Sequence, residues 1–189
     1  VLSYFAKHER VAMSKLPNRQ PVLKPQDFYL LLTLATLDDQ GTSYPELAAF
    51  TGLSMSEVHG ALKRAEAARL LFFEAKRPRI LLSAFKEFLF HGAKYVFPAV
   101  RGSMVVGVPT AHAAAPLNAR IAPSADPAPV WPSIEGPVRG IALIPLYPSA
   151  PAAALRNAAL YENLALFDAL RAGNMRERAL AQELFEQRL

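Results

Sequence analysis

Nine basic side chains, Lys63, Arg64, Arg69, Lys76, Arg77, Arg79, Lys86, Lys94 and Arg101, stand between positions 54 and 101 against four carboxylates, Glu57, Glu66, Glu74 and Glu87. The resulting +5 equals the formal charge of the whole 189-residue chain, because the segments on either side are each neutral. Clustered ammonium and guanidinium groups attract polyanions and add a salt-sensitive term to their binding, so the chemistry on offer is phosphate neutralisation. Charge by itself leaves a merely solvated basic surface as the alternative.

Catalysis finds little to work with. His8, His59, His91 and His112 are scattered, and none forms a His-x-x-x-His pair or stands beside a carboxylate at metal-ligand spacing, so no metal site is expected. No glycine-rich loop leads into Lys-Ser or Lys-Thr, no Gly-x-Ser-x-Gly occurs, and no cysteine is present to act as nucleophile, zinc ligand or half of a disulfide. Asp38-Asp39 ends a helical stretch and reads as a turn rather than an acid-base couple. Neither an enzyme nor a cofactor is expected.

The absence of cysteine is compatible with a reducing compartment, and a cytoplasmic location is the expectation. Lys7, His8, Glu9 and Arg10 interrupt the apolar stretch that a secretory signal needs, and Pro145, Pro148 and Pro151 interrupt the longest apolar run, 140–155. No export signal and no membrane span are therefore expected. The chain opens on Val1, and Met13-Ser14-Lys15-Leu16-Pro17 reads as an alternative start, which leaves open whether residues 1–12 are native.

The elements that would carry the cations follow from local patterns. Apolar residues Phe28, Leu31, Leu32 and Ala35 recur at helical spacing over 25–37, with Pro25 suited to a first turn and Asp38-Asp39-Gln40-Gly41 closing the helix. Ser43-Tyr44-Pro45-Glu46 has capping-box spacing and opens a second helix that Gly52 ends. Ser54-Met55-Ser56-Glu57 is a second box, opening a third helix with Val58, Ala61, Leu62 and Ala65 inward. Ala48 suits a close inter-helix contact. Strands are expected over 70–74 and 79–82, flanking Ala75-Lys76-Arg77-Pro78 as a wing, and Ser83 is the expected cap of a fourth helix carrying Phe85, Phe88 and Leu89.

Pro45-Glu46-Leu47-Ala48-Ala49, then Gly52-Leu53-Ser54, Val58, Ala61-Leu62 and Leu70-Leu71, make residues 25–95 resemble the MarR-like winged helix-turn-helix transcriptional regulators. The resemblance implies a third helix that enters the major groove, a hairpin that touches the backbone or minor groove, and a homodimer on a near-palindromic duplex. It places Ser54, Ser56, His59, Gly60, Lys63 and Arg64 toward double-stranded DNA and Lys76, Arg77 and Arg79 on the wing. Lys63 and Arg64 would neutralise phosphates, Ser56 and His59 would reach base edges, and Gly60 would admit a close approach. The implied activity is sequence-specific binding and transcriptional repression; a winged helix that docks a partner protein is the other use of the same scaffold.

The rest of the chain departs from that pattern. Eleven of the sixteen prolines fall in 97–151, which argues against ordinary helix there. Short buried strands are expected over 104–108 and 141–144, an exposed proline-rich loop over 122–132, and Trp131 as a packing anchor. A helix starting at Ser149 or Pro151 is expected to run unbroken to Ala172, followed by Gly173 and a further helix capped by Asn174 with Glu177. The tail Asp168-Ala169-Leu170-Arg171-Ala172-Gly173, followed by Arg176-Glu177-Arg178, resembles winged-helix proteins paired with nucleotidyltransferase-like toxins, which implies an antitoxin-like repressor with a second protein docked on the C-terminal half.

The expected architecture is therefore mainly α with a small β wing. An N-terminal arm or helix (1–24) precedes a winged helix-turn-helix (25–96), a proline-rich connection (97–150) and a C-terminal helical hairpin (151–189). Leu160, Leu164 and Phe167 fall on a second apolar side of the 151–172 helix, which suggests a homodimer face.

Overall fold

The computed structural model describes residues 20–37, 43–122 and 126–189. The expected N-terminal arm, apart from its last five residues, and the Asp38-Asp39-Gln40-Gly41 turn lie outside them. Helix α1, Pro25–Leu34, starts with proline in its first turn while Asp27 accepts the Lys24 backbone N–H at 2.9 Å. Its residues from Asp27 to Thr33 are all buried, the mark of a core helix rather than of one with a wet face.

Both expected capping boxes are present. In α2, Tyr44–Thr51, the Glu46 N–H reaches Ser43 Oγ at 3.4 Å and the Ser43 N–H reaches Glu46 Oε2 at 2.7 Å. In α3, Met55–Ala67, the matching pair at Ser54 and Glu57 measures 3.2 and 2.8 Å. Between the two helices Gly52 takes φ 72°, a left-handed conformation that glycine adopts without steric penalty.

A hairpin follows, β1 (Leu71–Glu74) antiparallel to β2 (Arg77–Ile80), with Glu74 opposite Arg77. The second strand thus lies two residues earlier than the sequence suggested. Ala75 and Lys76 both have positive φ, 47° and 65°, and such a two-residue turn matches the twist of paired strands, so the register closes around them. Leu81 still donates its N–H to the Leu70 carbonyl, and α4 (Leu82–Glu87) begins directly after it, so Ser83 lies inside the helix and is not its cap. A single π turn, Phe88–Gly92, joins α4 to α5 (Ala93–Val96). A β-carbon at position 92 would lie 2.8 Å from the Phe88 ring, so glycine makes room for that ring.

The proline-rich stretch carries strands where they were expected, at 104–108 and 141–144, and one more, although Met104 and Val106 are exposed rather than buried. Strand β3 (Arg101–Pro109) runs antiparallel to both β4 (Pro129–Pro132) and β5 (Val138–Leu143), and β4 pairs with β5 in parallel, so the three strands close on one another. The exposed loop expected over 122–132 is corrected at its end: Val130 and Trp131 are buried in β4, whose prolines sit at the strand termini, where a missing N–H is tolerated. Gly140 faces Ala128, whose carbonyl oxygen would be 2.0 Å from any β-carbon, so closure requires the bare backbone there.

The C-terminal helix is also not continuous. Helix α6 (Ala150–Ala154) ends, Asn157 accepts the Leu160 N–H at 2.8 Å, and α7 (Ala158–Ala172) starts anew before α8 (Met175–Glu186). Asparagine competes well for the N-cap position, and that local bond breaks the helix. Helix α7 packs against α1, α5, α6, α8 and the turn at Ala111–Ala113. Leu160, Leu164 and Phe167 are consequently at most 2% exposed, and the second apolar side read as a dimer face is covered by the chain's own elements.

One buried cluster, from Phe28 to Phe185, runs through the segments 25–96, 97–150 and 151–189. Phe28 gathers the rings of Phe85, Phe88, Phe97 and Phe167 at centroid distances of 4.9 to 5.9 Å. Asp168, 1% exposed on α7, accepts Thr110 Oγ1 and Trp131 Nε1 at 2.7 Å each and Arg171 Nε at 2.8 Å. Trp131 is the anchor that its sequence position suggested, with its N–H satisfied. No helix among the described residues is long and apolar enough to cross a membrane.

Two substitutions test this packing in urea unfolding. Asp168→Ala leaves the nearly buried Arg171 guanidinium unpaired and is expected to lower stability by about 3–5 kcal/mol. Leu160→Glu places a charge in the core and is expected to lower it by more than about 4 kcal/mol. A Leu160→Glu protein as stable as wild type would restore that side chain to a surface.

Candidate nucleic-acid interface

Helix α3 turns Val58, Ala61, Leu62 and Ala65 into the core. At about 100° per residue the opposite side is the strip Ser56, Gly60, Lys63 and Ala67, with His59 on one flank and Glu57 and Arg64 on the other. Ser54, Ser56, His59 and Lys63 are exposed, and Gly60 is half-buried. The Tyr44 ring lies 6.1 Å from that of His59, which ties the strip to the start of α2. Lys63 stands over the Phe73 ring at 5.3 Å and bonds Glu66 at 3.0 Å, which ties it to the hairpin. An exposed i,i+3 pair of this kind contributes only about 0.5 kcal/mol and exchanges readily for a stronger anion.

Arg64 is placed differently from Lys63. Its Nε and Nη2 donate to Asp27 Oδ2 and Oδ1 at 2.7 and 2.6 Å, a bidentate pair with a carboxylate that is 0% exposed. The guanidinium thus faces α1, on the flank of the helix, and serves to hold α3 against α1. Gly60 belongs to the same arrangement: a β-carbon there would lie 3.1 Å from Arg64 Nη1. Its missing side chain accommodates the arginine, which gives that glycine a reason besides close approach of a ligand.

On the hairpin, Lys76 occupies the turn and is exposed, as is Arg77. Arg79 is half-buried with Nε 3.4 Å from Glu74 Oε2. Hydrogen bonds from Ser43 hold the Glu46 carboxyl below the usual carboxylate range, and the charge of Arg77 acts in the same direction. Arg69, exposed at the end of α3 with φ 57°, adds a further cation at the base of the hairpin.

The basic excess of 54–101 is therefore not one patch. Lys86 bonds Glu186 on α8, and Arg101 donates to the Ala172 carbonyl at 2.9 Å, so these two brace the C-terminal helices. Arg69, Lys76 and Arg77 are the exposed cations of the hairpin end. Among the described residues no group of His, Asp or Glu is arranged to hold a metal ion.

Four residues that shape this surface were not assigned to it by the sequence: Asp27, Tyr44, Tyr147 and Ser149. Tyr147 Oη donates to Glu57 Oε1 at 2.9 Å, and Ser149 Oγ donates to the Thr51 carbonyl at 2.7 Å, from 90 and 98 residues away respectively. Glu57 does cap α3, as its spacing indicated, and its carboxyl is held low by the Ser54 bonds and then by Tyr147.

Arg64→Ala is expected to lower folding stability by about 3 kcal/mol, because it strands the buried Asp27 carboxylate, and Arg64→Lys to recover little, because an ammonium cannot supply the fork. Thermal unfolding of both variants checks this; a fully stable Arg64→Ala would return that guanidinium to the candidate ligand contacts. The chain matches no protein-family model, no curated protein and no solved structure, so its functional reading rests on these residues and their geometry.

Proposed function

We propose that residues 25–96 act as a winged helix-turn-helix that binds double-stranded DNA in a sequence-specific way, and that the protein regulates transcription, most simply as a repressor. The observation that carries this reading is the pairing of two box-capped helices, joined by the left-handed Gly52 turn, with a hairpin that touches α3 through Lys63 over Phe73 and bears the exposed Lys76 and Arg77 at its tip. In that arrangement α3 enters the major groove, with Ser56 and His59 at base edges and Lys63 exchanging Glu66 for a phosphate. Ser54 lies at the helix start, where backbone N–H groups favour an anion. Arg69, Lys76, Arg77 and Arg79 lie along the flanking backbone.

A near-palindromic site would require two copies. The surface that joins them is not the side of α7 bearing Leu160, Leu164 and Phe167, which is buried. The pairing of both α3 cations with carboxylates favours a second reading, a winged helix that docks a protein rather than a phosphate backbone.

Binding to duplex fragments, including the DNA upstream of the protein's own gene, separates the two. Affinity for DNA is expected to fall steeply with salt; Lys76→Ala and Arg77→Ala should each weaken all sequences alike and reduce the salt slope by about one. Ser56→Ala and His59→Ala should change sequence preference instead. Binding that is indifferent to salt, or absent, favours the protein-docking reading.

A further inference from the structure

The α2–α3 turn is held by residues 147–149, 90 or more positions further along the chain. Tyr147 and Ser149, which precede α6, reach the two sides of the turn between α2 and α3. Ser149 Oγ and Tyr29 Oη both donate to the Thr51 carbonyl, at 2.7 and 3.0 Å, one residue before Gly52. A β-carbon at position 52 would lie 3.2 Å from Ser149 Cβ, so the turn is in close contact with this segment. Ser149 stands at the N-cap position of α6 but makes no capping bond; its hydroxyl serves the other helix pair. The Tyr29 and Tyr147 rings stack at 6.0 Å and 15°, which fixes the direction of the Tyr147 hydroxyl.

That hydroxyl completes the bonding of one carboxylate. Glu57 Oε2 accepts the Ser54 N–H and Oε1 accepts Tyr147, so both oxygens are held on the flank of α3, about 100° around the helix from Ser56. A carboxylate in the first turn suits the helix dipole but repels phosphate, and a glutamate free to rotate would bring its charge to the strip that faces DNA. We infer that residues 147–149 are the positioning element of the recognition helix: Ser149 sets the α2–α3 turn and Tyr147 keeps the Glu57 charge away from the DNA, so that DNA affinity is governed by contacts from the C-terminal half. The inference rests on the DNA-binding reading above.

Tyr147→Phe tests it, because the ring and its stacking remain and only the hydroxyl is lost. Two measurements are made on the full chain: amide hydrogen exchange of the free protein, and affinity for the duplex that wild type binds best. Faster exchange at residues 54–58 is expected, together with binding weaker by about three- to tenfold, the size of one ordinary hydrogen bond. In a Glu57→Gln background, where no charge needs restraint but the cap persists, Tyr147→Phe is expected to change binding by less than about twofold.

Unchanged exchange and unchanged affinity overturn the inference. An equal loss in the wild-type and Glu57→Gln backgrounds also overturns it, since the hydroxyl would then act through packing alone. If wild type binds no duplex at all, it is the functional reading that fails; the exchange measurement then decides the clamp by itself, with faster exchange at 54–58 supporting it and unchanged exchange overturning it.

Discussion

A carboxylate in a protein interior must have all its bonding satisfied, and Asp168 meets that demand by drawing on three separate parts of the chain. Thr110 at the end of β3, Trp131 in β4 and Arg171 one turn along α7 all donate to it. Each donor is useless to Asp168 unless its own element is in place, so this one group joins the small sheet to the central helix, alongside the bond of Arg101 to the Ala172 carbonyl. Arg171 also donates to the Ile144 carbonyl just after β5. The same buried pair thereby reaches all three strands.

The constraint recurs at Asp27, with consequences for function. Its partner is Arg64, and the fork that satisfies the carboxylate directs that guanidinium toward α1 and away from the exposed strip of α3. In the proposed DNA-binding reading, anchoring α3 and neutralising phosphate compete for this one side chain, and the buried carboxylate holds it because stranding that carboxylate is costlier than losing one surface charge. The phosphate contacts of the proposed interface fall correspondingly on Lys63 and on the hairpin, whose turn cations face solvent.

Phe28 links these two systems through aromatic packing, touching rings from α4, the π turn, the segment after α5, and α7. With residues 147–149 seated on the α2–α3 turn, the helix pair proposed to read DNA has no boundary across which it is independent of the C-terminal half. The contact is made by short hydrogen bonds from Ser149 and Tyr147, just ahead of α6, to the Thr51 carbonyl and to Glu57.

What the sequence by itself determined were the features set by neighbours three or four residues apart. The boxes at Ser43/Glu46, Ser54/Glu57 and Asn174/Glu177, the stop at Gly52 and the inward side of α3 depend on local bonds and on helical periodicity, and all were legible. The total charge and its location were legible too. Tertiary structure decided what depended on remote partners: the pairing that makes a strand of the prolines at 129 and 132, the covering of Leu160, Leu164 and Phe167, and the direction in which Arg64 points. A cation in a sequence has no partner written beside it. Asp27 is thirty-seven residues from Arg64 and Tyr147 ninety from Glu57, and only the packing of a buried core brings groups at such separations into bonding distance and fixes which charges remain to meet a ligand.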